Sequence, residues 1–96
     1  MTGEGDDVAE LIHQYPDPLL SADGVAYVAQ AWGESDVRWH GWLVFIAADG
    51  RILRTARETS HATRETVRVW AARLRPPALT RALARAVPSS AELPAA

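Results

Sequence analysis

Three histidines, His13, His40 and His61, are the side chains of this chain whose ordinary titration falls near neutral pH. They could serve as general acid, general base or nitrogen ligands to a metal. No two of them stand at i, i+4, and no His-Glu-x-x-His pattern occurs, so a metal site would have to be assembled from distant segments. Each has a plainer reading. His13 closes a short apolar segment, His61 belongs to a helix start, and His40 is a partly buried imidazole among tryptophans. There is no cysteine, which removes disulfides, thiolate metal sites and a thiol nucleophile. Ser21, Ser35, Ser60, Ser89 and Ser90 fall in turns or caps, where serine bonds backbone groups, and no nucleophile elbow or phosphate-binding glycine loop is present. Two carboxylate pairs, Asp17 with Asp23 and Glu34 with Asp36, also lie in turn-like stretches. The expectation is therefore no catalytic residue, no metal and no cofactor: a non-enzymatic protein.

Binding chemistry is better represented. Four tryptophans stand in 96 residues, and all ten basic residues are arginine. Aromatic side chains on a sheet can stack nucleobases while arginines hold phosphates. The same aromatic groups, flanked by valine and isoleucine, can instead form a protein contact. The residues expected to share one such face are Tyr27, Arg38, His40, Trp42, Val44, Ile46, Leu53 and Arg57. Arg64, Arg68 and Arg75 form a row on a helix flank that could meet anions, and Glu65 is read as standing apart from that row. Burying large apolar groups is worth several kcal/mol at ~25 cal/mol per Å². The favoured reading is therefore a small interaction module that binds a protein, in the first place itself as a homodimer. A nucleic-acid binder is the alternative.

The element that positions these residues is Val37 to Thr55. A long aromatic and β-branched run meets Asp49-Gly50, and a shorter run follows, which predicts a β-hairpin. A two-residue turn at Asp49-Gly50 would set Ala47 against Ile52, Ile46 against Leu53 and Val44 against Thr55. Val25 to Trp32 reads as a preceding strand, joined through a Gly33–Asp36 loop, with Trp32 facing Val37 and Tyr27 facing Trp42. The middle strand is apolar on both faces: Trp39, Gly41, Leu43, Phe45 and Ala47 on one, His40, Trp42, Val44 and Ile46 on the other. A half-solvated strand would alternate, so both sides need shelter. Trp32, Leu43, Phe45 and Ile52 are expected beneath the main helix.

Val8, Leu11 and Ile12 have helical spacing, predicting a short N-terminal helix to His13 that Pro16 and Pro18 end. A main helix is predicted from a cap at Thr59 or Ser60 to about Arg75, with Thr63, Val67, Trp70, Ala71 and Leu74 as its core stripe. Pro76-Pro77 breaks it, and a last helix from Ala78 to Ala86 turns Leu79, Ala82, Leu83 and Ala86 inward. The expected fold is α+β: a three-stranded antiparallel meander packed against a long C-terminal helix, with a short N-terminal helix and a short final helix. The expected division is an acidic disordered stretch at 1–7, one domain at 8–87 and a flexible tail at 88–96.

Charge is distributed unevenly. Residues 1–50 carry nine carboxylates and one arginine, and residues 51–96 nine arginines and three glutamates. The halves are expected to neutralise each other, within one chain or across a dimer. An arginine-only, alanine-rich composition fits a GC-rich, bacterial genome. The absence of cysteine and of any apolar run near the ~20 residues of a membrane span fits a cytoplasmic location. From Trp42 through Leu74, the order of hairpin and helix, with Gly50-Arg51 after the turn and Glu58-Thr59 before the helix, is similar to the sheet-plus-helix DNA-binding arms of phage-type integrases. Those domains are basic and carry lysines. This chain is acidic overall and has none, and no family is assigned on that similarity.

Overall fold

The computed structural model describes residues 9–89; the expectation for 1–7 lies outside them, as does that for the tail at 88–96 except for Pro88 and Ser89. The architecture is one seven-stranded sheet, antiparallel at every pairing, with two short helices that follow it in the chain. The strands are β1 (Glu10–Gln14), β2 (Leu19–Leu20), β3 (Ala26–Asp36), β4 (Arg38–Ala47), β5 (Ile52–Arg54), β6 (Thr59–His61) and β7 (Val87–Pro88); the helices are α1 (Arg64–Arg73) and α2 (Pro76–Arg85). The order across the sheet is β1-β3-β4-β5-β7, with β2 also on β3 and β6 also on β4. The three-stranded meander with a long C-terminal helix and an N-terminal helix is therefore incorrect.

The first correction is at the N-terminal segment, where β1 replaces the expected helix. A helix of so few residues, ended by prolines, cannot offset its nucleation cost. As a strand the same residues pair with β3, and a bulge between Leu11 and His13 adjusts the register. Leu11 then lies opposite Trp32, while Ile12 packs into the main core. The second correction is at Thr59–His61, expected as a helix cap and found as β6. Strand β5 covers only Val44–Ile46 of the longer β4, and β6 pairs with the stretch left over, Trp39–Gly41. The cap moves to Thr63, whose hydroxyl oxygen accepts from the Thr66 N–H at 3.2 Å. The main helix is correspondingly short.

Both hairpin registers also differ from expectation. Asp49-Gly50 does form the β4–β5 connection, but the loop has three residues, Ala48, Asp49 and Gly50. The Gly50 N–H donates to the Ala47 carbonyl, and Gly50 alone takes a positive φ, +94°. A tight turn followed by a left-handed glycine is the three-residue hairpin pattern. Ile46 therefore faces Ile52 and Phe45 faces Leu53. This one-residue slip exchanges the faces of every β5 side chain. In the first hairpin, Gly33–Asp36 is not a loop but the end of β3. The chain reverses at Val37, and Tyr27 pairs with Ala47 rather than with Trp42.

The core lies between the sheet and the helices. Tyr27, Ala29, Ala31, Leu43, Phe45 and Ala47 meet Ala71, Leu79, Ala82 and Leu83 there. Large and small residues face one another across β3 and β4, Ala29 with Phe45 and Ala31 with Leu43, and beyond them Gly33 pairs with Gly41. At Gly41 α1 comes close to the sheet. A Cβ there would meet Val67 Cγ1 at 3.0 Å, Thr59 Cγ2 at 3.1 Å and Trp70 Cζ3 at 3.1 Å. Of the expected inward residues, Val67, Trp70, Ala71 and Leu74 of α1 and Leu79, Ala82, Leu83 and Ala86 at α2 are buried or half-buried, whereas Thr63 is exposed as the α1 cap; Pro76-Pro77 opens α2. Pro88 stops it and pairs with Leu53 in β7. None of the described helices is long and apolar enough to cross a membrane.

Candidate functional site

The other face of the sheet carries no helix among the described residues. Even-numbered residues of β3 and β4 line it: Val28, Gln30, Trp32, Glu34 and Asp36 opposite Ile46, Val44, Trp42, His40 and Arg38. Ile52 and Arg54 extend it from β5, Ser60 from β6, and Leu11 and Gln14 from β1. Of the residues expected on one interaction face, Arg38, His40, Trp42, Val44 and Ile46 share this face. Tyr27 and Leu53 do not. They face the helices, Tyr27 opposite Ala47 and Leu53 opposite Phe45, for the register reasons given above. Trp32 and Ile52 move the opposite way, from the expected core to this open face.

The open face has an apolar half and a polar half. Trp32, Trp42 and Val44 form a cluster joined by Ala9, Ile46 and Ile52. Trp42 is 2% exposed and Val44 0%, so the centre of the cluster is closed within a single chain. The Arg54 guanidinium lies over the Trp42 ring, 4.7 Å from its centre, a cation–π contact that also removes the ring from water. Trp32 Nε1 donates to Gln30 Oε1 at 2.9 Å, and Gln30 Nε2 donates to Gln14 Oε1 at 3.3 Å. Among the described residues the Trp42 indole N–H has no hydrogen-bond acceptor. At the border of the cluster Leu11 is 42% and Val28 40% exposed.

The polar half gathers at the β3–β4 turn. Arg57 stands in the irregular stretch between β5 and β6. Its Nη2 donates to Glu34 Oε2 at 3.0 Å and to Asp36 Oδ2 at 3.2 Å. Those two carboxylates hold the Arg57 guanidinium above its ordinary pKa. Arg38 Nε donates to Ser60 Oγ at 3.1 Å, and His40 Nε2 donates to the Asp36 carbonyl at 3.1 Å.

The three histidines remain apart. His13 packs edge-on to Tyr15, at 4.6 Å between ring centres, and His61 Nε2 shares a hydrogen bond with the Thr59 hydroxyl. Among the described residues no group of three His, Cys, Asp or Glu side chains could hold a metal ion. The arginine row is also divided. Arg64 pairs with Glu10 across 2.9 Å. Arg68 pairs with Glu65, so that glutamate does not stand apart as expected, and the pairing lowers the Glu65 pKa. Arg75 caps α2 through its backbone.

Leu11, Val28, Trp32 and Arg54 belong to the open face and were not assigned to it from sequence. The signal was present in the two strand glycines. Setting Gly33 against Gly41 places Trp32 beside Trp42 and Val28 beside Ile46. Comparison with protein-family models, with curated proteins and with solved structures finds no significant match to this chain.

Proposed function

We propose that this chain is a small non-enzymatic interaction module that associates with a second copy of itself through the open sheet face. The observation that supports the reading is the exposed apolar border, Leu11 and Val28, around a tryptophan cluster on a sheet face without a described helix. Trp42 and Val44 are too buried to touch a partner. The contact instead uses Leu11, Val28 and Ile46, with Arg38 and His40 at its polar end. Glu34, Asp36, Arg38 and Arg57 give that end both signs of charge, which suits a self-complementary contact around a two-fold axis.

The alternative, nucleic-acid binding, is weakened by the ion pairs. Arg57, Arg64 and Arg68 would have to leave Glu34 and Asp36, Glu10 and Glu65 before they could meet phosphates. Light scattering at low and high salt, with and without mixed single- and double-stranded DNA, separates the readings. Self-association predicts a mass twice that of the chain which holds or rises with salt. It also predicts that Leu11→Glu together with Val28→Glu returns the mass to that of one chain. A DNA complex that weakens steeply as salt rises would favour the alternative. A monomer that ignores DNA would remove both.

A further inference from the structure

A groove of about 600 Å³ lies on the helix side of the sheet, at the end where β4 gives way to the Ala48–Gly50 loop. Leu20 and Asp23 line it from β2 and the turn that follows, Tyr27 from β3, Leu53 from β5, and Thr80 and Leu83 from α2. Its walls are largely apolar, and Leu20 is 66% exposed. Tyr27 is only 4% exposed, yet among the described residues its hydroxyl has no hydrogen-bond partner. The last described residue, Ser89, stands beside this groove. Strand β7 runs toward the same end of the sheet: Val87 pairs with Arg54, Pro88 with the groove-lining Leu53, and the Ser89 N–H donates to the Ile52 carbonyl at 2.8 Å. The sequence continues as Ser90-Ala91-Glu92-Leu93-Pro94-Ala95-Ala96. In an extended segment every second side chain shares one side. Ala91, Leu93 and Ala95 then face one way, and Glu92 turns away from the Asp23 carboxylate. An extended chain covers about 3.3 Å per residue, so Leu93 reaches up to about 13 Å beyond Ser89. Neighbouring strands are about 4.8 Å apart, which sets β5, β4 and β3 at roughly 5, 10 and 14 Å from β7. The segment is long enough to cross the groove.

We infer that residues 90–96 turn back across the sheet and occupy this groove of their own chain. Leu93 packs against Leu53 and beneath Leu83 of α2. Ala95 comes beside Tyr27 and Leu20, and the Tyr27 hydroxyl donates to a backbone carbonyl of the segment. The segment is tethered at the groove's edge, and a short tether gives an effective concentration on the order of millimolar. A free ligand or a second copy has to compete against that advantage. Once seated, the segment latches α2 to this end of the sheet. The site is separate from the open sheet face and does not depend on self-association.

The test is nuclear magnetic resonance on the full chain with labelled methyl groups. Through-space contacts are expected from the Leu93 methyls to those of Leu53 and Leu83, and from the Ala95 methyl to the Tyr27 ring. Leu93→Glu should abolish them and shift the Leu20, Leu53 and Leu83 methyl signals. Leu93→Met should keep the groove signals near their parent positions. Leu20→Ser changes the groove from its exposed rim and should weaken the Ala95 contact. Leu11→Glu together with Val28→Glu should leave every one of these contacts in place. The amide spectrum of each variant reports that its sheet and helices are intact. An equal mixture of labelled and unlabelled chain tells one chain from two. Contacts within the labelled chain support the assignment. Contacts found only between labelled and unlabelled chains would place a second copy's segment in the groove and overturn it. Contacts to a copurified small molecule, no contact from Leu93, or groove signals indifferent to Leu93→Glu would overturn it equally.

Discussion

Val37 takes φ +66°, and no other non-glycine residue among those described has a positive φ. It is also fully exposed, so no packing rewards the conformation. A left-handed backbone costs an L-residue roughly 1–2 kcal/mol, and β-branching makes it worse. Val37→Asn should therefore raise stability by about 1 kcal/mol, read as a higher urea midpoint at unchanged slope. A lower midpoint would show that the valine side chain contributes something the turn needs. Tyr15 makes the opposite case, a side chain fully used. Its hydroxyl donates to the Ala71 carbonyl near the end of α1, and burial pushes its phenol well above the ordinary value. Because the folded pKa is the higher one, the contribution is whole below the unfolded value of ~10 and is lost as pH rises beyond it. Tyr15→Phe should cost about 1 kcal/mol at neutral pH, and its deficit against the parent should shrink above roughly pH 10. A deficit constant with pH would deny that Tyr15 stays protonated in the folded chain.

At the scale of elements, the strand with apolar residues on both faces was legible, because β4 breaks the alternation that a wetted strand needs. The helix stripes were legible for the same reason: Val67 with Ala71, and Leu79 with Ala82 and Leu83, repeat at helical spacing. Register was not. Asp49-Gly50 is compatible with a two-residue and a three-residue loop, and the choice rests on whether Asp49 also takes a positive φ. It does not, so Leu53 turned to the helices and Ile52 to the open face. The reversal at Val37 was hidden because valine is a poor turn residue, whereas Gly33-Glu34-Ser35 resembles a loop. Short strands were hidden for another reason. Five or fewer residues carry little period of their own, and β1 and β6 are strands because β3 and β4 have edges to fill. Gly41 tests this account of the packing. Gly41→Ala places a methyl group 3.0 Å from Val67 and 3.1 Å from Trp70. The Val67, Thr59 and Trp70 side chains must then give way by a few tenths of an ångström in a packed seam, and stability should fall by about 1–3 kcal/mol in denaturant unfolding. A neutral result would mean that the helix floats on the sheet. Gly50→Ala should cost about 1 kcal/mol for a purely local reason, its left-handed φ.

Across the whole molecule the acidic first half and the basic second half meet within one chain. Arg57 bridges to Glu34 and Asp36, Arg64 to Glu10, and Arg51 to Asp49. These pairs stand at the polar end of the open face, at the junction of β1 with α1 and at the β4–β5 turn. Their contribution to stability is small, because every arginine in them is largely wet and an exposed pair is worth about 0–1 kcal/mol. At neutral pH the unfolding midpoint should therefore change little between low and moderate salt, since screening acts on pairs that add little. Acid is a sharper probe. Bonds from the Arg51 backbone and guanidinium hold the Asp49 carboxyl below its ordinary pKa, Arg68 does so for Glu65, and the Ser21 hydroxyl for Asp23. With the folded values the lower ones, what these groups contribute is present above the unfolded carboxylate values of ~4 and is lost as pH falls through the folded ones. The midpoint should thus be level from neutral pH down to about 5 and decline below about 4. The Asp49→Asn variant should decline less. A midpoint that drops sharply on adding salt at neutral pH would mean instead that these pairs themselves hold the halves together.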